Sequence, residues 1–178
     1  MLNEISTNMC YQSKLPASSF RKSTPGFTVI EMMVVIAIFA ILATIAIPSS
    51  MGRIIKEQIV AAMPLADIAK TPIAASWKLE KTLLVDNEAA ELPEHNKIVN
   101  NYVSDVLVEN GAIHITFGNK AHNVIKGKIL SMRPAVIEES EIVPVTWVCG
   151  NAKAPEQMTV MGVNKTDVAP EYLPYICK

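Results

Sequence analysis

The chain has 178 residues, enough for one domain of ordinary size, and its side chains carry a net charge of −1. Half of its residues are hydrophobic, and much of that apolar content lies in one uninterrupted stretch, residues 27–47. A nearly neutral chain gives no global electrostatic reason to expect nucleic acid or anionic lipid as a partner.

The first 26 residues are basic. They contain Lys14, Arg21 and Lys22 against Glu4, so their removal leaves a net side-chain charge of −3 on the remainder. Basic residues before an apolar segment favour a cytoplasmic N-terminus and export of the C-terminal part. The sequence therefore predicts a cytoplasmic leader and an exported domain.

The apolar stretch FTVIEMMVVIAIFAILATIAI would span ~31 Å as a helix, which matches the hydrocarbon thickness of a bilayer. Its alanines recur every third residue and provide no Ala-x-Ala site, which disfavours an ordinary cleaved signal. A plain uncleaved anchor is the other simple interpretation. Glu31 argues against it, because a carboxylate at the bilayer centre costs on the order of 3 kcal/mol and an anchor has no use for it.

The segment GFTVIEMMVVIAIFAILATIAIP resembles the type IV prepilin signature. The resemblance implies that Gly26 is the last leader residue, cut on the cytoplasmic side by a prepilin peptidase, and that Phe27 becomes an N-methylated first residue. It also implies that Glu31 is the acid needed for assembly and that Pro48 marks a kink or melted turn of the helix.

Two features depart from that family pattern. A leader of 26 residues is longer than the form usual beside a phenylalanine, so either Met9 rather than Met1 is the true start or the length is real, as in the type IVb branch. After Pro48 the sequence reads SSMGR where many members of the family have aromatic residues.

Downstream, the segment RIIKEQIVAAMPLADIAKTPIAASWKLEKTLL predicts an amphipathic continuation of the same helix. Its apolar positions recur at helical spacing: Ile55, Ile59, Met63 or Ala62, and Ala66. Pro64 and Pro72 each remove a helix hydrogen bond. We therefore expect a bend near Met63, and an end near Lys70 or a restart from Pro72.

The next part of the chain predicts a loop and then a sheet. Residues 85–101 are polar and contain proline, which is typical of a loop. The run YVSDVLVENGAIHITFG alternates with period two around Asn110-Gly111 and predicts a β-hairpin. GKILSMRPAV and VTWVCG fit a third and a fourth strand. One long helix packed on a four-stranded antiparallel sheet is an α+β layer fold.

The C-terminal end strengthens the resemblance. TWVCG, a loop with proline and glycine, and YLPYIC together resemble the pilin C-terminal loop that a cysteine pair closes, which implies a bridge between Cys149 and Cys177. The likeness then covers nearly all of the mature chain and implies the type IV pilin fold. The expected organisation is a leader at 1–26, a transmembrane assembly helix at 27–47, and an amphipathic helix with globular head at 48–178.

Catalytic and metal-binding patterns are not found. His95, His114 and His122 have no cysteine or acidic partner at ligand spacing. The sequence contains no glycine-rich phosphate loop, nucleophile elbow or His-Glu-x-x-His motif. We therefore expect no cofactor, no metal and no enzymatic activity. Asn164-Lys-Thr matches a glycosylation sequon, a short pattern of little weight.

One basic run could contact DNA phosphates. It consists of Lys120, His122, Lys126, Lys128 and Arg133. A solvated turn balanced by Glu138, Glu139 and Glu141 is the favoured interpretation.

Three functions compete. The first is a structural subunit of a type IV pilus filament, a fibre of adhesion, twitching motility and DNA uptake; the others are a minor DNA-binding competence pilin and a type II secretion pseudopilin. The cysteine pair counts against the last, and the sequence does not rank major against minor pilins. The resemblance implies other pilin subunits, a prepilin peptidase/methylase and the inner-membrane assembly machinery as partners. It also implies an inner-membrane precursor with a periplasmic head, and then an extracellular filament.

Overall fold

The computed structural model of the chain describes residues 26–140 and 142–178, with the backbone alone for residues 45–49. The predicted leader, with both candidate start methionines, lies outside the described residues except for Gly26. Glu141, one of the acids expected to balance the basic run, also lies outside them. The chain divides into two compact units, Met1–Ile41 and Leu42–Lys178.

The first helix, α1, runs over Val29–Ala62. Every described side chain from Gly26 to Thr44 is exposed, although nearly all of them are apolar. A helix that is apolar on all sides is stable only in apolar surroundings, so this part of α1 suits a bilayer or a bundle of similar helices. Helical backbone continues through Pro48, whose side chain is not described, and the expected kink there stays a prediction.

The helix is interrupted where Pro64 removes a backbone donor. Met63–Ala66 form a 3₁₀ turn, and α2 then runs over Asp67–Glu80. This turn lies at the position of the predicted bend near Met63, and the bend itself stays a prediction. The predicted end near Lys70 or restart at Pro72 is wrong, because Pro72 lies inside α2. Burial of the side chains on either side of it offsets the roughly 3 kcal/mol that an internal proline costs.

The second half of the helix forms the core of the head. Ser50–Glu80 is long and apolar enough to cross a membrane by length and composition, and Val29–Thr44 is a shorter apolar helix. In the longer stretch, however, the apolar residues at helical spacing are fully buried and belong to the hydrophobic core: Ile55, Ile59, Ala62, Ala66, Ala69 and Ile73. We therefore assign Ser50–Glu80 to the head. Ala62, rather than the half-buried Met63, occupies the core position.

The predicted loop at 85–101 lies within the longer connection of residues 81–102, which covers the first edge of the sheet. Within this loop, the side chain of Asn87 is buried and forms hydrogen bonds with backbone groups that a neighbouring strand would otherwise pair. Its Nδ2 donates to the carbonyl oxygens of Val106 at 3.0 Å and Pro93 at 3.2 Å, and its Oδ1 accepts from the N–H of Val108 at 2.7 Å. The edge strand therefore has part of its hydrogen bonding satisfied by a side chain.

The sheet is antiparallel, in the order β1-β2-β3-β4. These four strands are Val103–Glu109, Ala112–Phe117, Ile129–Val136 and Thr146–Cys149. The predicted four-stranded α+β fold is confirmed. A fifth strand of two residues, β5 at Thr159–Val160, also pairs with β3 and was not predicted.

The hairpin turn between β1 and β2 has the predicted chemistry. Asn110 has φ of 49° and Gly111 has φ of 79°, the left-handed conformations that a tight two-residue turn requires. The N–H of Gly111 donates to the carbonyl of Leu84 at 2.8 Å. A Cβ at Gly111 would lie 2.8 Å from the Leu83 side chain, so glycine also permits this close approach.

Candidate functional site

The N-terminal end of α1 is closed by a reciprocal pair of side chains. The backbone N–H and the hydroxyl of Thr28 each lie 3.2 Å from Glu31 Oε2, and the N–H of Glu31 lies 3.3 Å from Thr28 Oγ1. This is a capping box, which satisfies backbone donors that the first turn of a helix leaves unpaired. Glu31 is also the acid of the first turn, where the helix dipole favours a negative charge.

This local contact of Glu31 is not among the predictions made from the sequence. A threonine three residues before a glutamate is nevertheless the sequence signature of a capping box, so the signal was present. The structure thus gives Glu31 a local structural role in addition to the role in assembly that the resemblance implied.

Gly26 and Phe27 lie just before this cap. A Cβ built on Gly26 meets no described atom within 4 Å, and the residue does not have a positive φ. The described structure therefore gives no steric or conformational reason for glycine here. The Phe27 side chain is exposed.

The second candidate region is the C-terminal loop closed by a disulfide. Cys149 ends β4, Cys177 lies in a 3₁₀ turn at Tyr175–Cys177, and the two are bonded, as the resemblance implied. Both sulfur-bearing side chains are buried in the core of the head. The bridge therefore holds Cys177 against the end of β4.

Backbone contacts reinforce that closure. The N–H of Asn151 donates to the carbonyl of Cys177 at 3.0 Å, and the N–H of Gly150 donates to that of Ser131 at 2.8 Å. Gly150 has φ of 55°, and a Cβ there would lie 2.7 Å from the Cys177 carbonyl oxygen. Glycine is therefore required directly after Cys149 on both conformational and steric grounds.

The basic run does not form one surface. Lys120 and Lys126 are exposed in the turn between β2 and β3, whereas Lys128 lies 3.3 Å from a carboxylate oxygen of Asp167. Arg133 is half-buried in β3 and donates from Nη2 to the carbonyl of Gly150 at 3.1 Å. Burial also lowers the pKa of Arg133. The structure thus separates Arg133 from the lysines with which the sequence grouped it.

The three histidines are dispersed, as their sequence positions indicated. His95 pairs with Asp105, His122 lies in the β2–β3 turn, and His114 is buried in β2 beside Ser131. Ser131 and His114, with the nearby Glu109, have the residue types of a hydrolase triad. Ser131 is fully buried, however, so its hydroxyl is not accessible to solvent in this structure.

The sequon asparagine is used within the fold. Asn164 Nδ2 donates to the carbonyl of Gly150 and to Asn151 Oδ1, each at 3.0 Å. Its Oδ1 accepts from the N–H of Thr166 at 3.0 Å. These contacts give Asn164 a structural function in the C-terminal loop, independent of glycosylation.

An exposed apolar helix with a capped acidic first turn, an α+β head, and a C-terminal loop closed by a disulfide together define the class of a filament-forming pilin. A family model described as Pilin (bacterial filament) matches residues 56–178, and a model of the prokaryotic N-terminal methylation motif matches residues 21–47.

Relatives agree with that class. The chain is 31% identical to the type IV major pilin protein PilE of Neisseria gonorrhoeae over 159 residues, which cover 86% of this chain and 93% of that protein. It is 31% identical to a fimbrial protein of Neisseria meningitidis serogroup A over 162 residues, with the same coverage. It is 32% identical to the fimbrial protein EcpC of Eikenella corrodens over 131 residues, which cover 71% and 82% of the two chains. The chain belongs to the type IV pilin family and is a structural subunit of a pilus filament.

Proposed function

We propose that this pilin is made as a precursor whose leader, residues 1–26, is removed after Gly26, and that the new N-terminal residue Phe27 is methylated. The match to the methylation motif supports this proposal. The surroundings of Gly26 support it independently. Because the described fold places no constraint on Gly26, selection by a peptidase that accepts only glycine explains why the residue is there.

Residues 27–47 would then anchor the subunit in the inner membrane, with the N-terminus in the cytoplasm and the head, within residues 48–178, in the periplasm. The exposed apolar surface of Val29–Thr44 supports an apolar environment for this segment. The Cys149–Cys177 bridge supports an oxidising compartment for the head. After assembly the same segment would lie among its counterparts inside an extracellular filament.

Glu31 is the proposed registration residue of assembly. Cleavage after Gly26 creates a cationic amine on Phe27, the residue directly before the Thr28–Glu31 capping box. A carboxylate accepts several hydrogen bonds, so the contacts from Thr28 leave capacity for an amine of a neighbouring subunit. In apolar surroundings, a subunit at the wrong height would leave both charges unpaired, at a cost of several kcal/mol.

The proposed partners correspond to these steps. A prepilin peptidase/methylase acts on Gly26 and Phe27, the inner-membrane assembly machinery extracts the subunit, and other copies of the subunit receive it. The role is structural, as it is for the family, and we propose no catalysis.

The two alternative functions are not favoured. The relatives described above carry the names of major pilins and fimbrial proteins rather than of competence proteins or secretion pseudopilins. In addition, Arg133 donates a hydrogen bond to the Gly150 carbonyl and Lys128 forms an ion pair with Asp167. Because these two basic groups already have partners within the chain, they are less suited to bind DNA phosphates.

The combination in one chain of the methylation motif and a complete pilin head carries the proposal. Mass analysis of filaments sheared from cells tests it. We expect this chain to be present in the filaments and to begin with N-methylated Phe27. A mature form that begins after Ala46, or only uncut chains in cells with an active peptidase, would contradict the proposal.

A further inference from the structure

A buried polar cluster lies between the sheet and the C-terminal loop. His114 of β2 and Ser131 of β3 are directly opposite each other in the sheet register. Because side chains alternate along a strand, both lie on the face opposite to Ile113 and Ile115, which contact the helix side of the core. His114 is only 2% exposed and Ser131 is 0% exposed, so residues 164–167 of the loop cover them.

Ser131 connects that loop segment to the histidine. Its Oγ accepts a hydrogen bond from the N–H of Lys165 at 2.9 Å and lies 2.9 Å from His114 Nδ1. Its backbone N–H donates to Thr166 Oγ1 at 3.0 Å. Among the described contacts of Ser131, His114 Nδ1 is the acceptor available to the hydroxyl proton, so we assign Nδ1 as the unprotonated nitrogen.

The other ring nitrogen is less well satisfied. His114 Nε2 lies 3.3 Å from Glu109 Oε2, but no described atom meets it in hydrogen-bond geometry. Glu109 instead forms an ion pair with Lys165 at the edge of the loop. The neutral imidazole therefore fits this site through Nδ1 alone.

We propose that His114 and Ser131 form a proton-sensitive latch that holds Lys165 and Thr166 of the C-terminal loop on the sheet, and that protonation of His114 releases these two residues while the helix–sheet core stays folded. A protonated imidazole turns Nδ1 from an acceptor into a donor. Ser131 Oγ can accept from both the Lys165 N–H and the protonated Nδ1, but its own buried proton would lose the acceptor that Nδ1 provided. Opening the loop relieves this conflict by admitting water.

The charged groups around His114 do not remove the conflict. Glu109 of β1 favours the imidazolium, whereas Lys165 of the loop opposes it, and Arg133 lies further along β3 with its guanidinium on the Gly150 carbonyl. Burial, and then Lys165, lower the pKa of His114. The hydrogen bond from Lys165 lowers the pKa of Glu109, which therefore stays ionised while the histidine titrates.

The sign of the pH effect is set by linkage. The pKa of His114 is lower in the closed state than in the open state, where it returns to about 6.5. Closure is therefore fully stable above that value and is lost as the pH falls towards the lower pKa of the closed state. At pH 5.0 the open state gains at most about 30-fold over the closed state relative to neutral pH, because the open-state pKa limits the effect.

Hydrogen exchange of the full-length subunit in detergent micelles tests the latch. After correction for intrinsic rates, we expect the protection factor of the Lys165 amide to fall between pH 7.5 and pH 5.0, by no more than about 30-fold. Amides of α2, such as that of Ile73, should keep their protection. Unchanged protection at Lys165, or an equal loss in α2, would overturn the proposal.

Two variants identify the titrating group. His114→Asn keeps an acceptor near the Nδ1 position without titrating and should abolish the pH response, whereas His95→Asn makes the same change at an exposed histidine and should retain it. A response that persists in His114→Asn would overturn the proposal. Should that variant fail to fold, Ser131→Ala serves instead: it should lower the Lys165 protection at pH 7.5 to about the wild-type value at pH 5.0, and full protection in Ser131→Ala would also refute the latch.

Discussion

At the level of single residues, Gly26 allows a role in leader cleavage to be tested separately from a role in folding. A side chain at Gly26 would meet no described atom within 4 Å, and the same is true of Gly52 within α1. A defect of a Gly26 variant that is absent from the matching Gly52 variant would therefore point to processing rather than to contacts among the described residues. This pair of glycines offers a matched comparison.

We predict that Gly26→Val leaves the full-length precursor in the membrane, because a branched side chain does not fit a glycine-selective peptidase site. Gly52→Val, the control, should be cut normally, because a helix tolerates valine at least as well as glycine. Immunoblotting of membranes measures the ratio of precursor to mature chain. Normal maturation of Gly26→Val would show that the leader is removed by other means.

Asn87 is a second residue with a specific role, which is to pair backbone groups of the edge strand β1. It satisfies two backbone groups of β1 through one buried amide, and its partners at Val106 and Val108 lie 19 and 21 residues away in the sequence. Its importance could not be predicted from the sequence. An asparagine in a polar, proline-containing segment is normally a solvated turn residue, and only the tertiary fold brings β1 to it.

We predict that Asn87→Ala lowers the free energy of unfolding of the head by about 2–4 kcal/mol, because buried backbone groups of Val106 and Val108 lose their partner. Asn96→Ala, at an exposed position in the same loop, should change it by less than about 0.5 kcal/mol. Urea unfolding followed by the fluorescence of Trp77 and Trp147 compares the two. Equal effects of the two substitutions would contradict the role assigned to Asn87.

At the scale of elements, the hairpin and the C-terminal loop differ in how far the sequence predicts them. The β1–β2 hairpin is determined locally, since Asn110-Gly111 supplies both left-handed conformations and alternation fixes the two faces. β5 could not be predicted, because Thr159 and Val160 form a strand only through pairing with the end of β3. The same limit applies to Pro72, which the core contacts of α2 hold within a helix.

The C-terminal loop depends on its disulfide more than on apolar packing. Between Cys149 and Cys177, most residues are exposed, and the loop is held by hydrogen bonds to β3 as well as by the bridge. A cross-link over a sequence separation of 28 is worth about 3.5 kcal/mol in the chain-entropy description.

We therefore predict that Cys149→Ser lowers the free energy of unfolding of the head by about 3 kcal/mol without affecting leader removal. Cys149→Ser and the double variant Cys149→Ser/Cys177→Ser should lose nearly the same amount, because either change removes the whole bridge. Unfolding under non-reducing conditions, with thiol labelling of the wild type, checks both points. Two reactive thiols in mature wild-type protein would contradict the bridge.

At the scale of the whole molecule, the subunit combines a helix that is exposed and apolar with a head whose core is complete. Within the head, the C-terminal half of the helix is buried against the sheet, whereas the described side chains of Val29–Thr44 are exposed. A monomer with one self-sufficient part and one part that needs apolar neighbours is suited to transfer from a membrane into a filament. Glu31, in the first turn of the exposed part, is the residue on which ordered transfer depends in our account.

We predict that Glu31→Ala is cut after Gly26 and inserts into the membrane, because a costly charge is removed, but enters filaments poorly. Loss of the capping box with Thr28 costs about 1 kcal/mol of helix stability, which a membrane-embedded helix tolerates. Glu57→Ala, the control, removes an exposed acid of the same helix that pairs with Arg53 one turn away, and it should assemble normally.

The most direct test is to express Glu31→Ala as the sole source of subunit and to measure surface filaments beside the membrane pool of mature subunit. We predict a normal or enlarged membrane pool with at least about a tenfold loss of filaments, the loss that about 1.4 kcal/mol or more of mispairing produces. Normal filament numbers with Glu31→Ala would contradict the registration role and leave a plain membrane anchor as the better description of the helix.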